Sequence, residues 1–225
     1  MTMHILWDID GTLIHNSTDG AAVYLDAFTR VTGGPPQKLI TNPHGKTEGQ
    51  ILTDLLVLNG HPAALLEDVL AELDIRTQAL QDNGYVRSAV AGGHQALVAA
   101  TDRRWTNALL TGNGLQHSRV KLVAAGYAAD DFNWKNSFFG DRSPDRHHLT
   151  SLVATVLGDQ PSVIVGDTPN DGLAADSAKI PFIAVATGAY SVADLRETSA
   201  LVVVENLENG LDDVLEAIDR LATRG

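Results

Sequence analysis

Two aspartates separated by one residue follow the first apolar run of the chain, in Trp7-Asp8-Ile9-Asp10-Gly11-Thr12-Leu13. Alternation along a strand points Asp8 and Asp10 to the same side, and Gly11 lets the backbone turn sharply. Carboxylates held this close suit a divalent metal together with a nucleophile and a proton-transfer partner. A calcium loop is excluded, because Leu13 stands where that loop needs its turn glycine. A solvated Asp-Gly turn stays open. A second group, Leu109-Leu110-Thr111-Gly112-Asn113-Gly114, sets a hydroxyl and exposed backbone amides at a helix start. Such a turn can bind phosphate oxygens, or it can simply cap the helix. A third group follows Val163-Ile164-Val165 and reads Gly166-Asp167-Thr168-Pro169-Asn170-Asp171. A carboxylate that ends a buried strand needs a partner, and oxygen-only ligands suit Mg²⁺. For Asp171 a helix cap is the other reading.

Positioning these groups requires strands that deliver them to one edge. Strand-like runs at His4–Trp7, Asn107–Leu110, Ser162–Val165, Pro181–Ala186 and Leu201–Val204 alternate with helical segments, the pattern of an α/β parallel sheet with crossover helices. Ligands of such a sheet collect outside the carboxyl ends of its strands. Between the first two strands lies a stretch with helical rather than strand periods, about Ile14 to Arg87. Its apolar faces are Ala22, Leu25, Phe28 and Val31; Ile51, Leu52, Leu55, Leu56 and Leu58; and Leu65, Leu66, Val69, Leu70 and Leu73, running on toward Leu80. This is far more than one crossover helix needs, so it reads as a helical insertion. The chain enters it through Asn16-Ser17-Thr18-Asp19-Gly20 and leaves near Asn83-Gly84-Tyr85, turn formers that can absorb a hinge rotation.

Composition removes several classes. The 225 residues hold 28 acidic against 16 basic side chains and no cysteine. Disulfides, thiolate metal sites and thiol nucleophiles are therefore excluded. The acidic balance argues against nucleic acid and anionic membrane as partners. A phosphorylated small molecule stays open, since it needs only local positive charge. The N-terminal apolar run is too short for a signal peptide, and the longest apolar stretches fall under the roughly 18 residues of a membrane span. A cytoplasmic location is the expectation.

In their order and spacing, Asp8-x-Asp10-Gly11-Thr12, Thr111-Gly112-Asn113 and Gly166-Asp167-x-x-x-Asp171 resemble the haloacid dehalogenase-like phosphohydrolase superfamily. Ala174-Ala175-Asp176-Ser177-Ala178 and Ile183-Ala184-Val185-Ala186-Thr187-Gly188 resemble its phosphoglycolate-phosphatase-like branch. The resemblance implies a Rossmann-like core over residues 1–13 and 88–225, with residues 14–87 as a C1-type helical cap. It implies Asp8 as a nucleophile forming an aspartyl-phosphate, Asp10 as the acid and base, and Thr111 as a phosphoryl ligand beside Gly112 and Asn113. It implies Mg²⁺ on Asp8, the Asp10 carbonyl oxygen and Asp167, with Asp171 supporting that shell. The implied activity is a phosphatase for a small phosphorylated metabolite; the alternatives are a sugar-phosphate mutase and a phosphate-binding protein without turnover.

One departure concerns the cation. Members usually carry a Lys before the metal strand, whereas here the segment reads Gly140-Asp141-Arg142-Ser143-Pro144-Asp145-Arg146. With Ser143 as N-cap and Pro144 as first helical residue, the helix buries Leu149, Leu152, Val153, Val156 and Leu157. Arg146 shares that face and is the expected substitute, with Arg142 as the alternative. Its position in a first helical turn opposes the dipole unless an anion sits nearby. Gly45-Lys46-Thr47 is not a nucleotide loop, because Ile40 stands where that loop needs its first glycine. Lys46 could instead face a substrate anion, or be a solvated loop lysine. His147 and His148 are neighbours on a helix and cannot share a metal.

Overall fold

The computed structural model describes residues 2–17, 20–141 and 143–223. Arg142, and Thr18 and Asp19 of the inward crossing, lie outside the described residues. Six strands form one sheet: β1 (His4–Trp7), β2 (Thr106–Thr111), β3 (Phe138–Phe139), β4 (Ser162–Gly166), β5 (Phe182–Val185) and β6 (Val203–Val204). They run in the order β3-β2-β1-β4-β5-β6, every neighbouring pair parallel. Alternate side chains divide between two faces, as the pleat requires. Ile5, Trp7, Leu109, Val163, Val165 and Ile183 join one buried cluster, and Leu6, Ala108, Leu110, Ile164, Phe182 and Ala184 join the other. Both faces are buried, which is why these strands read as near-continuous apolar runs.

The helices are α1 (Gly20–Thr32), α2 (Glu48–Leu58), α3 (Leu66–Asp82), α4 (Gly93–Asp102), α5 (Leu115–Ala124), α6 (Arg146–Leu157), α7 (Pro169–Ala178), α8 (Val192–Arg196) and α9 (Leu211–Ala222). The first three enclose their own cluster, with Val23, Ala27, Phe28, Leu52, Leu55, Leu56, Val69, Leu70 and Leu73 buried together. On α1 the buried stripe is rotated from the expected one. Val23, Ala27 and Phe28 face inward while Ala22 is exposed. On α2, Leu58 also faces out, at 39% exposure.

Two expectations for the helix after residue 143 are corrected. It begins at Arg146, not Pro144, and its N-cap is Asp145, which accepts from the His148 N–H at 2.7 Å. The Ser143 carbonyl accepts from Thr47 Oγ1 at 2.6 Å, tying that residue to the start of α2. The buried face holds Leu149, Thr150, Val153 and Leu157, whereas Leu152 and Val156 are exposed. No helix among the described residues is long and apolar enough to cross a membrane.

Candidate active site

Chain order reverses across the sheet at β1 and β4: β2 and β3 extend one way from β1, and β5 and β6 the other way from β4. Ligands of an open α/β sheet bind at such a switch point. Trp7 lies level with Val165 on one side and Leu109 on the other. Asp8, Asp167 and Thr111 therefore leave the ends of three adjacent strands. All three line one cavity of about 290 Å³, together with Asp10, Gly112, Asn113, Lys46, Lys121 and Arg146. Residues of α1, α2 and the loop between them, among them Tyr24, Leu25, Ile40 and Ile51, close its far side.

After β1 the chain turns tightly. The amides of Thr12, Leu13 and Ile14 all donate to the Ile9 carbonyl oxygen, and Gly11 takes φ +84°. A Cβ on Gly11 or on Gly188 would overlap the Asp167 carboxylate. Glycine at both positions leaves that carboxylate its place. Thr12 donates to Asp167 Oδ1 at 3.3 Å. Asp171 is fully buried, and its Oδ2 accepts from the Thr168 N–H and hydroxyl, closing a capping box on α7. Its other oxygen meets Arg146 at 2.6 Å. The same guanidinium donates to the Leu110 carbonyl oxygen at 3.0 Å and approaches Asp8 at 3.7 Å. Arg146 thus lies against Asp8 and Asp171.

Asp8, Asp167 and Asp171 bring one oxygen each within 4.8 Å of one another, all buried. Among the described residues, Arg146 is the guanidinium that meets this group, on Asp8 and on Asp171. Burial, with Asp171 and Asp10 adding to it and Arg146 opposing, pushes the Asp8 carboxyl up to about 6. Burial and the Asp171 and Asp8 charges hold Asp167 well above the usual carboxylate range. A hard divalent cation with oxygen ligands fits this donor set.

Asp10 sits in a different field. Burial opposes its ionisation, but Lys121, Asn113 and Arg87 outweigh it and hold the carboxyl down to about 2. Lys121 Nζ donates to its Oδ2 at 2.6 Å and Asn113 Nδ2 to the same oxygen at 2.8 Å. Arg87 approaches Oδ1 at 3.6 Å. Thr111 Oγ1 accepts from Asn113 Nδ2 at 2.9 Å, so the turn after β2 is ordered from within. Two aspartates two residues apart thus have carboxyl affinities for protons pushed in opposite directions, the usual mark of a divided acid-base role.

Several of these partners escaped the sequence reading. Lys121 and Arg87 were not singled out, nor was the buried group Tyr24, Glu48 and His117. Tyr24 donates to Glu48 Oε1 at 2.8 Å, and His117 Nδ1 lies 2.6 Å from that oxygen. Burial and the nearby Lys121 push the His117 imidazole below its ordinary value. The buried Nε2 of the same ring has no hydrogen-bond partner among the described residues. The available signal was polar spacing: His117 and Lys121 lie one turn apart in the helix directly after Thr111-Gly112-Asn113. Lys46 does line the cavity, but its ammonium is paired with Asp54 at 2.9 Å.

The fold is a Rossmann-like parallel sheet, with paired aspartates, a hydroxyl turn and a buried carboxylate triad at its switch point. Residues 141–209 match the family model described as HAD-hydrolase-like. No curated protein matches the sequence. Among solved structures, a hydrolase from Pseudomonas syringae is 21% identical, with a TM-score of 0.68 over 96% of this chain and 99% of that one. CbbY from Rhodobacter sphaeroides, in complex with phosphate, is 16% identical, with a TM-score of 0.69 over 93% and 96%. A β-phosphoglucomutase from Clostridium difficile is 13% identical, with a TM-score of 0.67 over 99% and 100%. The family match covers residues 141–209, and the solved structures share the fold of nearly the whole chain.

Proposed function

We propose that the protein is a Mg²⁺-dependent phosphatase that hydrolyses a small phosphorylated metabolite through an aspartyl-phosphate on Asp8. The observation that carries this is the buried set Asp8, Asp167 and Asp171 at the ends of adjacent strands beside Thr111, with Arg146 against Asp8 and Asp171. Asp8 and Asp167 would hold the cation with the Asp10 carbonyl oxygen, and Asp171 would orient Arg146 and complete the shell. When bound, the cation offsets repulsion between the anionic carboxylate and the phosphoryl group. Asp8 attacks phosphorus while the bond to the ester oxygen breaks, and Asp10 delivers a proton to that oxygen. Water then attacks the phosphoryl group, gives its proton to Asp10 and releases phosphate with Asp8 restored. Ionised at rest, Asp10 is ready for the second step; an anionic substrate beside it raises its proton affinity for the first. Thr111, Gly112 and Asn113 line the cavity where the phosphoryl oxygens would lie.

Residues 14–87 form the cap in this reading, and the apolar wall from α1 and α2 contacts the part of the substrate that leaves. The second reading, a sugar-phosphate mutase, is favoured by the likeness to the β-phosphoglucomutase of Clostridium difficile. A panel of phosphorylated metabolites with Mg²⁺, scored for free phosphate and for phosphorylated isomers, separates the two. Phosphate release without isomer formation is expected. Isomer formation without net phosphate would establish the mutase.

A further inference from the structure

Helix α5 carries two polar side chains one turn apart on its buried side, His117 and Lys121. His117 meets Glu48 of α2, whereas Lys121 meets Asp10. The lysine ammonium closes a ring. It donates to Asp10 Oδ2 at 2.6 Å and to Asn113 Oδ1 at 2.6 Å, while Asn113 Nδ2 donates to that same Asp10 oxygen at 2.8 Å. Two donors on one carboxylate oxygen fix where the group sits and how its plane is turned. Arg87 stands farther off, 3.6 Å from Oδ1, and its own hydrogen bonds go to the His15 carbonyl oxygen and the Tyr85 hydroxyl. The Lys121 side chain is 6% exposed, so its position is set by packing and by these two contacts rather than by water. An ammonium in such a place is costly to desolvate unless fully partnered.

The geometry points to Lys121 as a positioning residue for the acid-base reaction, holding the Asp10 carboxylate against Asn113 so that it addresses the ester oxygen of the substrate. This rests on the phosphatase reading. In the first chemical step the electron pair of the breaking P–O bond goes to the ester oxygen, and the Asp10 proton follows it. That proton matters in proportion to the basicity of the leaving oxygen. A nitrophenolate leaves readily as the anion, whereas a phenolate of almost the same shape depends on the acid. Loss of Lys121 therefore acts selectively on the poorer leaving group, which a general loss of packing would not do.

The test compares kcat/KM of the wild type and Lys121→Met with Mg²⁺ on p-nitrophenyl phosphate and on phenyl phosphate. This ratio reports steps up to the first irreversible one, which includes departure of the phenol. The variant is expected to lose about tenfold more on phenyl phosphate than on p-nitrophenyl phosphate. Equal losses on both esters would overturn the proposal. Lys121→Gln, which keeps a donor in the buried position, serves if the Met variant does not fold, with a smaller selective loss expected in the same direction. A crystal structure of either variant reads the positioning without turnover. Displacement of the Asp10 carboxylate from Asn113, with the contacts of Arg146 to Asp8 and Asp171 unchanged, is expected; an undisturbed Asp10 would overturn the assignment. If the wild type released phosphate from neither ester, the phosphatase reading would fail, and the crystal structure would still decide the role of Lys121.

Discussion

Asp8, Asp167 and Asp171 lie buried within 4.8 Å of one another, and the consequence belongs in the pH dependence of stability. Asp8 is pushed up from 3.8 to about 6 and Asp167 is raised as well. Between about pH 4 and pH 6 the folded chain therefore binds more protons at these sites than the unfolded chain. Their contribution to stability falls as pH rises through that interval. The buried His117, with its lowered proton affinity, contributes in the opposite direction, because the folded state binds the second imidazole proton less tightly than the unfolded chain does. It does so with or without metal. A divalent cation on the carboxylates binds best once they are ionised. The rise in Tm that millimolar Mg²⁺ adds over EDTA should thus be larger near pH 7 than near pH 5. Thermal unfolding at both pH values measures it, and an increment that is equal, or larger at the lower pH, would contradict the charge arrangement.

At the scale of elements, the start of α2 is tied by hydrogen bonds to the loops after β2 and β3. Thr47 Oγ1 donates to the Ser143 carbonyl oxygen, and the amides of Glu48 and Gly49 donate to the carbonyls of Gly112 and Gly140 at 2.7 and 2.9 Å. A Cβ on Gly112 would overlap the Lys46 carbonyl oxygen, and one on Gly140 the Gly112 backbone, so glycine permits this approach. If the insertion opens as a lid, these bonds break together. The Glu48 and Gly49 amides should then exchange with a common rate, slowed by a common factor when orthophosphate and Mg²⁺ are added. Hydrogen exchange read residue by residue checks this, and unequal factors would mean that the insertion does not open as one body. The same region holds a misplaced helix start. Ser143 and Pro144 look like a cap and a first residue by local propensity, yet the Ser143 carbonyl accepts from Thr47, and Asp145 takes the cap. Contacts between distant segments override local signals of about 1 kcal/mol, and nothing within the segment announces them. The two-residue β3 carries no period long enough to detect.

The whole molecule was legible where one physical rule acts along a continuous stretch. Strands buried on both faces give apolar runs ended by Asp8, Thr111 and Asp167, so the sheet and the edge that holds the site follow from the sequence. The helical periods between the first two strands correspond to α1, α2 and α3, which bury Val23, Leu52, Val69 and Leu73 together. The cation opposite Asp8 was also legible, because an arginine in a first helical turn asks for an anion, and Arg146 has two. What stayed hidden is the set of partners that reach Asp10 from separate elements. Lys121 comes from the helix after β2, Arg87 from the end of the insertion and Asn113 from the phosphate turn, and only their meeting in space gives them a role. The central claim is that Asp8 carries the phosphoryl group. Its most direct measurement is phosphate release from p-nitrophenyl phosphate with Mg²⁺ by Asp8→Asn, which keeps the shape and removes the nucleophile. A loss of about three orders of magnitude or more in kcat is expected for a variant that melts within a few degrees of the wild type. Release at an undiminished rate by the folded variant would contradict the account.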